Sequence, residues 1–243
     1  MLQEKLLKKI SNFARSTFVP ITEDMDGEYD SSKFSGIPWL SQNEEWPICP
    51  NCHKPLNFFM QLNLKDLPTM SHLARLHDSE GLVQLFYCTN EDPHCESECE
   101  AFLPFSNSVV VRLVDIAGKK PQKIQESPVV GAFSPKRIVT WEKEKDYPDY
   151  QELAENNVEL TEDEEDVYCE LELTVFGDKL SGWPAWVQGV EYPNCPECGE
   201  TMQILFQIDS EDHLSYMFGD VGCGHITVCP RHPHQLAFGW ACS

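Results

Sequence analysis

Two pairs of cysteines, each with two residues between its members, are the side chains in this sequence best suited to chemistry. Cys49 and Cys52 lie in the stretch CPNC, and Cys195 and Cys198 lie in CPEC. Zinc takes four tetrahedral ligands, and a tight turn of the form C-x2-C supplies two of them as thiolates. Each pair therefore predicts one half of a structural zinc site.

The other half of the first site must come from a second turn. The segment CTNEDPHCESEC follows a predicted strand that ends at Tyr87, and it offers Cys88 and Cys95. Cys99 is an alternative to Cys95, because the spacing after Cys88 is looser than in a C-x2-C turn. The sequence leaves this choice open.

The second site has a more regular partner turn. Cys229 and His232 lie in CPRHP, directly after a predicted strand, with the same spacing as a C-x2-C turn. Cys242 competes with His232 for the fourth position, while Cys169 and Cys223 are interpreted as spare thiols of the buried kind. We therefore predict one or two structural Zn²⁺ ions, held by two sets of ligands: Cys49, Cys52, Cys88 and Cys95, and Cys195, Cys198, Cys229 and His232.

Three alternatives use the same cysteines. A redox CPxC motif needs a helix directly after the first cysteine to lower the thiol pKa, but here a strand pattern follows each pair. A catalytic zinc keeps an open coordination position, and no His-Glu-x-x-His arrangement occurs among the eight histidines. The third alternative is that one region has lost its metal and keeps vestigial thiols.

A repeat without gaps positions both cysteine pairs. Residues 33–61 match residues 179–207 at a constant offset of 146 residues. The period is far too long for a solenoid, so the pattern predicts two copies of a half-domain. The identical positions include both cysteine pairs, Lys33 and Lys179, and Gln61 and Gln207.

The elements that must position these ligands are mainly strands. Alternating apolar residues predict a strand with one buried face over 56–64, and the same register recurs over 202–208. Further strands are predicted over 81–87, 109–114 and 225–228, and in the stretch RIVTWEKEKDYP; helices are predicted near the N-terminus and over 150–156. The predicted fold class is α+β and rich in β-structure, with internally duplicated half-domains and zinc-ribbon-like knuckles.

The repeat also divides the chain. Residues 1–31 form an N-terminal helix and lead-in, 32–115 the first copy, 116–177 a connector and 178–243 the second copy. Each copy is small for a core of its own, so we expect one joint domain. The acidic run Glu162 to Asp166 in the connector is interpreted as a solvated loop. Gln61 and Gln207 are either exposed strand polarity or residues with a shared hydrogen-bonding role.

Composition limits the partners. Forty acidic residues against eighteen basic ones give a net charge of −22. Nucleic-acid affinity rests on Lys and Arg, so nucleic acid is excluded as a partner and a basic protein is favoured. No stretch has the apolar length of a membrane span. Eleven cysteines without a secretory signal predict a reducing, cytoplasmic location, and the oligomeric state stays open.

The quoted motifs resemble those of a known family. SKFSGIPWL, WPICPNCHKPLNFFMQLNL, DKLSGWPAWVQ, YPNCPECGETMQILFQID and GDVGCGHITVCPRHPHQLAFGWACS are similar to the YwqG-like family, also called domain of unknown function 1963. That family is distantly similar to the programmed cell death protein 2 family, which carries comparable cysteine pairs and is implicated in ribosomal-protein handling. The resemblance implies a duplicated, β-rich fold and a chaperone-like or immunity-type role in binding a protein.

These observations predict a zinc-binding, non-catalytic protein-interaction module that binds a basic protein. The alternative is an enzyme of unrecognised mechanism that acts in the cleft between the two copies. Closed cysteine shells would favour the binding module, whereas a His, Asp or Glu cluster with an open metal position would favour the enzyme.

Overall fold

The computed structural model describes residues 2–70, 76 and 80–243, and its dominant feature in this part of the chain is one antiparallel sheet of ten strands. The predicted β-rich α+β class is confirmed at this level. The strands are β1 (Arg15–Glu23), β2 (Lys33–Phe34), β3 (Asn57–Asn63), β4 (Gly81–Tyr87), β5 (Val109–Asp115), β6 (Lys136–Asp146), β7 (Lys179–Ser181), β8 (Gln203–Asp209), β9 (Cys223–Val228) and β10 (Leu236–Ala241). The helices are α1 (Leu2–Lys9), α2 (Cys95–Glu98), α3 (Tyr150–Glu155) and α4 (Glu162–Glu170), with 3₁₀ turns at Ser11–Phe13 and Leu64–Asp66.

The strand order is β10-β9-β8-β7-β1-β6-β2-β3-β4-β5. Matching the strands in chain order pairs β1 with β6, β2 with β7, and so on to β5 with β10. Under this matching the strand order is the same when it is read from either edge of the sheet. We call β1–β5 the first half and β6–β10 the second half. The first strand of each half lies beside the short second strand of the other half, since β1 pairs with β7 and β6 pairs with β2. The two halves therefore exchange their leading strands.

The pairing registers also correspond between the halves. Lys33 on β2 lies opposite Gln61 on β3, and Lys179 on β7 lies opposite Gln207 on β8. Register shifts occur between Phe58 and Met60 in β3 and at the matching place in β8, between residues 204 and 206. Each shift turns the strand locally, as β-bulges do.

One aromatic core joins the halves. The edge strands β5 and β10 contact each other, so the sheet curls around a central cluster. Tyr87 of the first half lies at a ring-centroid distance of 5.9 Å from Phe238 of the second half, and Phe34 at 6.0 Å from Phe206. Side chains of both halves thus remove their apolar surface from water in the same place.

The polar residues of β3 and Gln207 of β8 are buried, contrary to the exposed face predicted for these strands. Gln61 Oε1 accepts from Trp39 N at 3.0 Å, and Gln207 Oε1 accepts from Ala185 N at 2.8 Å. Each amide also donates to a backbone carbonyl, of Tyr29 and Gly177 respectively. The two glutamines therefore play the shared hydrogen-bonding role, because the segments that follow β2 and β7 fold over that face.

The acidic run is helical, and its interpretation as a loop is wrong. Residues 162–166 form the first part of α4, whose N-terminus carries a capping box between Thr161 and Glu164. Four acidic residues in the first turn complement the helix dipole. Lys9 of α1 binds Glu164 at 2.7 Å, and Leu6 packs against Tyr168, so α1 docks on the helices rather than on the sheet.

Candidate metal centres

The first cysteine turn is held by its own backbone. Cys49 N donates to Lys54 O at 2.9 Å, and His53 N donates to Cys49 O at 2.9 Å. His53 has a φ of 57°, a left-handed conformation that closes the turn without a glycine. Both thiols consequently point to the same side, directly before β3.

The second cysteine turn repeats this geometry. Cys195 N donates to Glu200 O at 2.9 Å, and Gly199 N donates to Cys195 O at 2.8 Å. Gly199 has a φ of 70°, and glycine adopts this conformation without a steric cost. The turn delivers Cys195 and Cys198 to the start of β8.

Four thiols converge at the first centre, and they are the four that the sequence predicts. Cys49 Sγ lies 3.8 Å from Cys95 Sγ, and Cys52 Sγ lies 3.7 Å from Cys88 Sγ. All four sulfur atoms lie within 4.8 Å of one another. All four cysteines are free of disulfide bonds.

These distances suit a tetrahedral ion. A regular tetrahedron with metal–sulfur bonds of about 2.3 Å has sulfur–sulfur edges of about 3.8 Å. The donor set is soft and anionic once deprotonated, as zinc requires. The first cluster could therefore hold a metal ion without rearrangement.

The short helix α2 explains why Cys95, and not Cys99, joins the cluster. Cys95 begins α2, and its N–H donates to Asn90 O at 3.0 Å in the loop after β4. Asn51 of the cysteine turn donates to Cys95 Sγ at 3.4 Å. Cys99 lies one helical turn later, outside the set of four.

The sequence His94-Cys95-Glu96 spans the start of α2 and is a His-x-Glu arrangement, which can signal a catalytic zinc and which the prediction from sequence missed. Here both outer residues have packing roles. His94 caps α2 by accepting from Ser97 N at 3.3 Å. Glu96 Oε2 accepts from Tyr87 Oη at 2.8 Å and from Tyr216 Oη at 2.5 Å, which ties α2 to the central core.

The second centre consists of three thiols and one imidazole, again the predicted set. Cys198 Sγ lies 3.7 Å from Cys229 Sγ, and His232 Nδ1 lies 3.8 Å from the sulfur atoms of both Cys195 and Cys229. The turn between β9 and β10 positions the last two residues through a hydrogen bond of 2.8 Å from Gln235 N to His232 O. Cys242 lies outside this set.

A carboxylate orients the imidazole. Glu197, between the two cysteines of the turn, lies 3.3 Å from His232 Nε2 and 2.9 Å from His234 Nε2. A carboxylate on the outer nitrogen fixes the tautomer of a ligand histidine and leaves Nδ1 free to coordinate. Sequence reasoning missed this role, and its one signal is the position of Glu197 inside the CPEC turn.

The surroundings favour thiolate at the second centre. A hydrogen bond from the backbone N–H of Glu200 lowers the pKa of Cys198 to about 6. At the first centre, burial raises the pKa of Cys88. Because a metal must displace thiol protons, these surroundings favour the displacement at Cys198 and oppose it at Cys88.

A third group of possible ligands lies away from the cysteines. Asp178, Asp212 and His213 lie within 4.8 Å of one another. Asp178, however, already accepts from Asp209 N at 2.7 Å and from His213 Nδ1 at 2.8 Å. Asp212 accepts from Asp178 N at 2.7 Å. These contacts give the group a structural role in closing the loop after β8.

The spare thiols differ in exposure. Cys223 is buried on β9, as predicted, whereas Cys169 is exposed on α4.

In the described part of the chain, no helix is long and apolar enough to cross a membrane.

Comparison with known proteins finds a family model that matches most of this chain. A family model described as "Domain of unknown function (DUF1963)" matches residues 32–241. The "Uncharacterized protein YpfL" of Salmonella typhimurium strain LT2 is 46% identical over 62 residues, which cover 26% of this chain and 14% of that protein. The further likeness to the programmed cell death protein 2 family stays a prediction.

Proposed function

We propose that this chain, which belongs to the family described as Domain of unknown function (DUF1963), is a zinc-stabilised, non-catalytic module that binds a basic protein. The proposal has two parts, a bound metal and a protein partner.

The observation that carries the metal proposal is the composition and size of the two clusters. Each offers four ligands at tetrahedral spacing, three or four of them thiolates. Zinc in such a shell has no position left for water or substrate, which is the arrangement of structural sites. Each ion would join the turn before one strand to the segment after its neighbour, as in a zinc ribbon.

The same reasoning supports an internal duplication. The palindromic strand order, the matching bulges and the two equivalent turn geometries all follow if one ancestral half was copied. The two centres would then be equivalent sites, with His232 standing where the first centre has Cys95.

The metal is tested by elemental analysis of protein purified without chelator. We expect two zinc ions per chain, and about one in Cys52→Ser and in Cys198→Ser. Because structural zinc contributes on the order of 10 kcal/mol to folding in small modules, both variants should also melt at lower temperature. Cys169→Ser, at an exposed thiol outside both clusters, is the matched control. A folded wild-type protein without zinc would refute the proposal.

The partner proposal rests on charge and on a cleft. With a net charge of −22, the protein attracts basic proteins and repels nucleic acid. A cavity of about 590 Å³ is lined by both halves and by α3, and includes Arg15, Met70, Glu152, Trp183 and Ile204. Such a cleft gives a partner a surface that is shaped by the joint fold.

The partner is tested by affinity purification of the tagged protein after nuclease treatment. Co-purifying proteins should be basic and should elute as salt rises, because screening weakens attraction between exposed charges. Recovery of RNA, or retention that does not depend on salt, would count against the proposal. Turnover of a substrate that is lost in Arg15 or Glu152 variants would favour the alternative, an enzyme acting in this cleft.

A further inference from the structure

Corresponding rows of side chains cross the two halves on the face opposite the central cluster. In the first half the row Gln61–Gln84–Arg112 crosses β3, β4 and β5. In the second half the row Gln207–His225–Gly239 crosses β8, β9 and β10 in the same register. The arginine of one half thus corresponds to a glycine in the other.

The neighbouring rows differ in the same direction. Phe86 lies between Phe58 and Val110 in the first half. Thr227 occupies the matching place in the second half, between residues 204 and 237, and residue 237 is an alanine. Four positions on this face are therefore smaller in the second half, where Gly239, Thr227, Ala237 and Ile204 take the places of Arg112, Phe86, Val110 and Phe58.

The first half fills this space with its own arginine. Arg112 Nε donates to Gln84 Oε1 at 2.9 Å, and its guanidinium lies 5.5 Å from the ring centroid of Phe86. Glu44 binds the same guanidinium at 2.6 Å. An aromatic ring, a neutral acceptor and a carboxylate together hold the planar cation.

The second half leaves a cavity of about 280 Å³ in its place, lined by Pro104, Trp186, Tyr192, His225, Thr227 and Trp240. This volume is below the range of about 300–1,000 Å³ typical of sites for drug-sized ligands. It suits one side chain of a partner.

The walls of the cavity offer the same three kinds of group. Trp186 and Tyr192 pack edge to face at 5.0 Å and present aromatic surface. Thr227 is 2% exposed, and its Oγ1 has no hydrogen-bond partner. Burial keeps the imidazole of His225 uncharged by lowering its pKa to about 3, so the ring does not repel a cation. Glu191 supplies a carboxylate at the edge.

We propose that this cavity binds an arginine side chain of a protein partner, in the position that Arg112 fills within the first half. The inference rests on the proposed function, since it names the part of a basic partner that is recognised. Arginine is favoured over lysine because a planar guanidinium stacks on tryptophan and donates several hydrogen bonds in fixed directions. The hydroxyl of Thr227 then gains the partner that it lacks.

The test uses the full-length, zinc-loaded protein and the peptide acetyl-Gly-Arg-Gly-amide, followed by NMR of the tryptophan indole N–H groups. We expect the signals of Trp186 and Trp240 to shift in a saturable way. The citrulline peptide has the same shape without the charge, and it should bind at least tenfold more weakly, as should the lysine peptide. Equal binding of the arginine and citrulline peptides would overturn the proposal.

Substitutions in and away from the cavity test whether the arginine peptide binds there. Thr227→Phe restores the residue type of the first half and should abolish the shifts, whereas Thr140→Phe, at an exposed threonine of β6, should leave them unchanged. Glu191→Gln, at an exposed position, should weaken binding several-fold without affecting the fold. Unchanged peptide affinity in a Thr227→Phe protein that keeps its zinc would overturn the proposal, and so would unchanged affinity in Glu191→Gln.

The outcomes also separate this inference from the proposed function. If Thr227→Phe still captures the basic partner with wild-type salt dependence, the cavity is not the recognition site, although the binding module stands. If the arginine peptide binds in the cavity but no basic partner is recovered, the cavity is supported and the proposed partner class is refuted.

Discussion

Each half buries one lysine, and the two lysines differ in the burial of their carboxylate partners. Lys179 lies 3.0 Å from Asp146, and both side chains are fully buried. Lys33 lies 2.7 Å from Asp26, whose side chain is 31% exposed. Asp146 also accepts from Trp183 N at 2.7 Å, so this carboxylate joins the end of β6 to the segment after β7.

We predict that Lys179→Met lowers the free energy of unfolding by about 3–5 kcal/mol, because it leaves the carboxylate of Asp146 buried without a counter-charge. Lys33→Met is the matched control and should cost less, since Asp26 can be hydrated. Urea unfolding of both variants in the same zinc-supplemented buffer measures the difference. Equal losses would show that burial of the carboxylate does not set the cost.

The carboxyl group of Asp178 makes the stability of the folded protein depend on pH, and the direction of this dependence follows from its pKa. Burial raises the pKa of this carboxyl to about 6, from an ordinary value near 4. The folded protein therefore binds a proton that the unfolded chain does not bind between these two values. The contribution of Asp178 to stability is fully present below about pH 4 and is lost as pH rises through 6.

We therefore predict that the stability advantage of the wild type over Asp178→Asn shrinks by up to about 3 kcal/mol as pH rises from 4 to 7. Contact with Asp178 raises the pKa of His213 despite its burial, which acts in the same direction. Urea midpoints of both proteins across this range provide the measurement. Acid would remove the proposed metal from both proteins alike, so this effect cancels in the comparison. A difference that grows with pH would contradict the assignment.

At the scale of elements, α4 depends on its N-terminal cap. Thr161 Oγ1 accepts from Glu164 N at 3.3 Å, and Glu164 Oε2 accepts from Thr161 N at 3.1 Å. Glu164 also binds Lys9, so the cap and the docking of α1 share one residue.

Removing this cap should destabilise the helical side of the molecule. We expect Thr161→Ala to cost about 1 kcal/mol, which corresponds to a fall in melting temperature of about 2–4 °C. Thr161→Ser keeps the hydroxyl and should melt within a degree or so of the wild type. If the serine and alanine variants melt together, the hydroxyl is not what stabilises α4.

The same helix shows where sequence reasoning stops short. The charge of the run after Thr161 is typical of a loop, although Thr161 and Glu164 have the spacing of a capping box. β1 is not among the elements predicted from the sequence, and Pro20 is unusual inside a central strand. Among the described residues, β7 pairs with Thr17 and Phe18 of β1, so β6 is the one strand that lies beside Pro20.

The cluster residues were predictable for a different reason. The turns CPNC and CPEC specify their geometry locally, so spacing alone identified half of each centre. Choosing Cys95 over Cys99 required the path of α2, and burying Gln61 required a loop from elsewhere in the chain to cover β3. Both depend on long-range contacts that a pattern of two or three residues does not contain.

For the whole molecule, the exchanged leading strands predict that neither half folds alone. In the part of the chain that the structure describes, β1 pairs with β6 and β7 and with no other strand, so a fragment of residues 1–134 leaves it without these partners. We expect fragments 1–134 and 135–243 each to lack a cooperative unfolding transition, and to form a 1:1 complex when they are expressed together. Circular dichroism and size-exclusion chromatography provide the measurement. A cooperative, monomeric fragment 1–134 would show two independent domains instead.

The exchange of leading strands also has a consequence for the chain while the ribosome is still making it. Thr17 pairs with Ser181, 164 residues later. At about 5–20 residues per second, roughly 8–33 s pass between the synthesis of these two residues. During that interval the first strand has a free edge that can pair with another nascent chain. Translation speed over this stretch should therefore set how much of the newly made protein aggregates and how much reaches its native pairing.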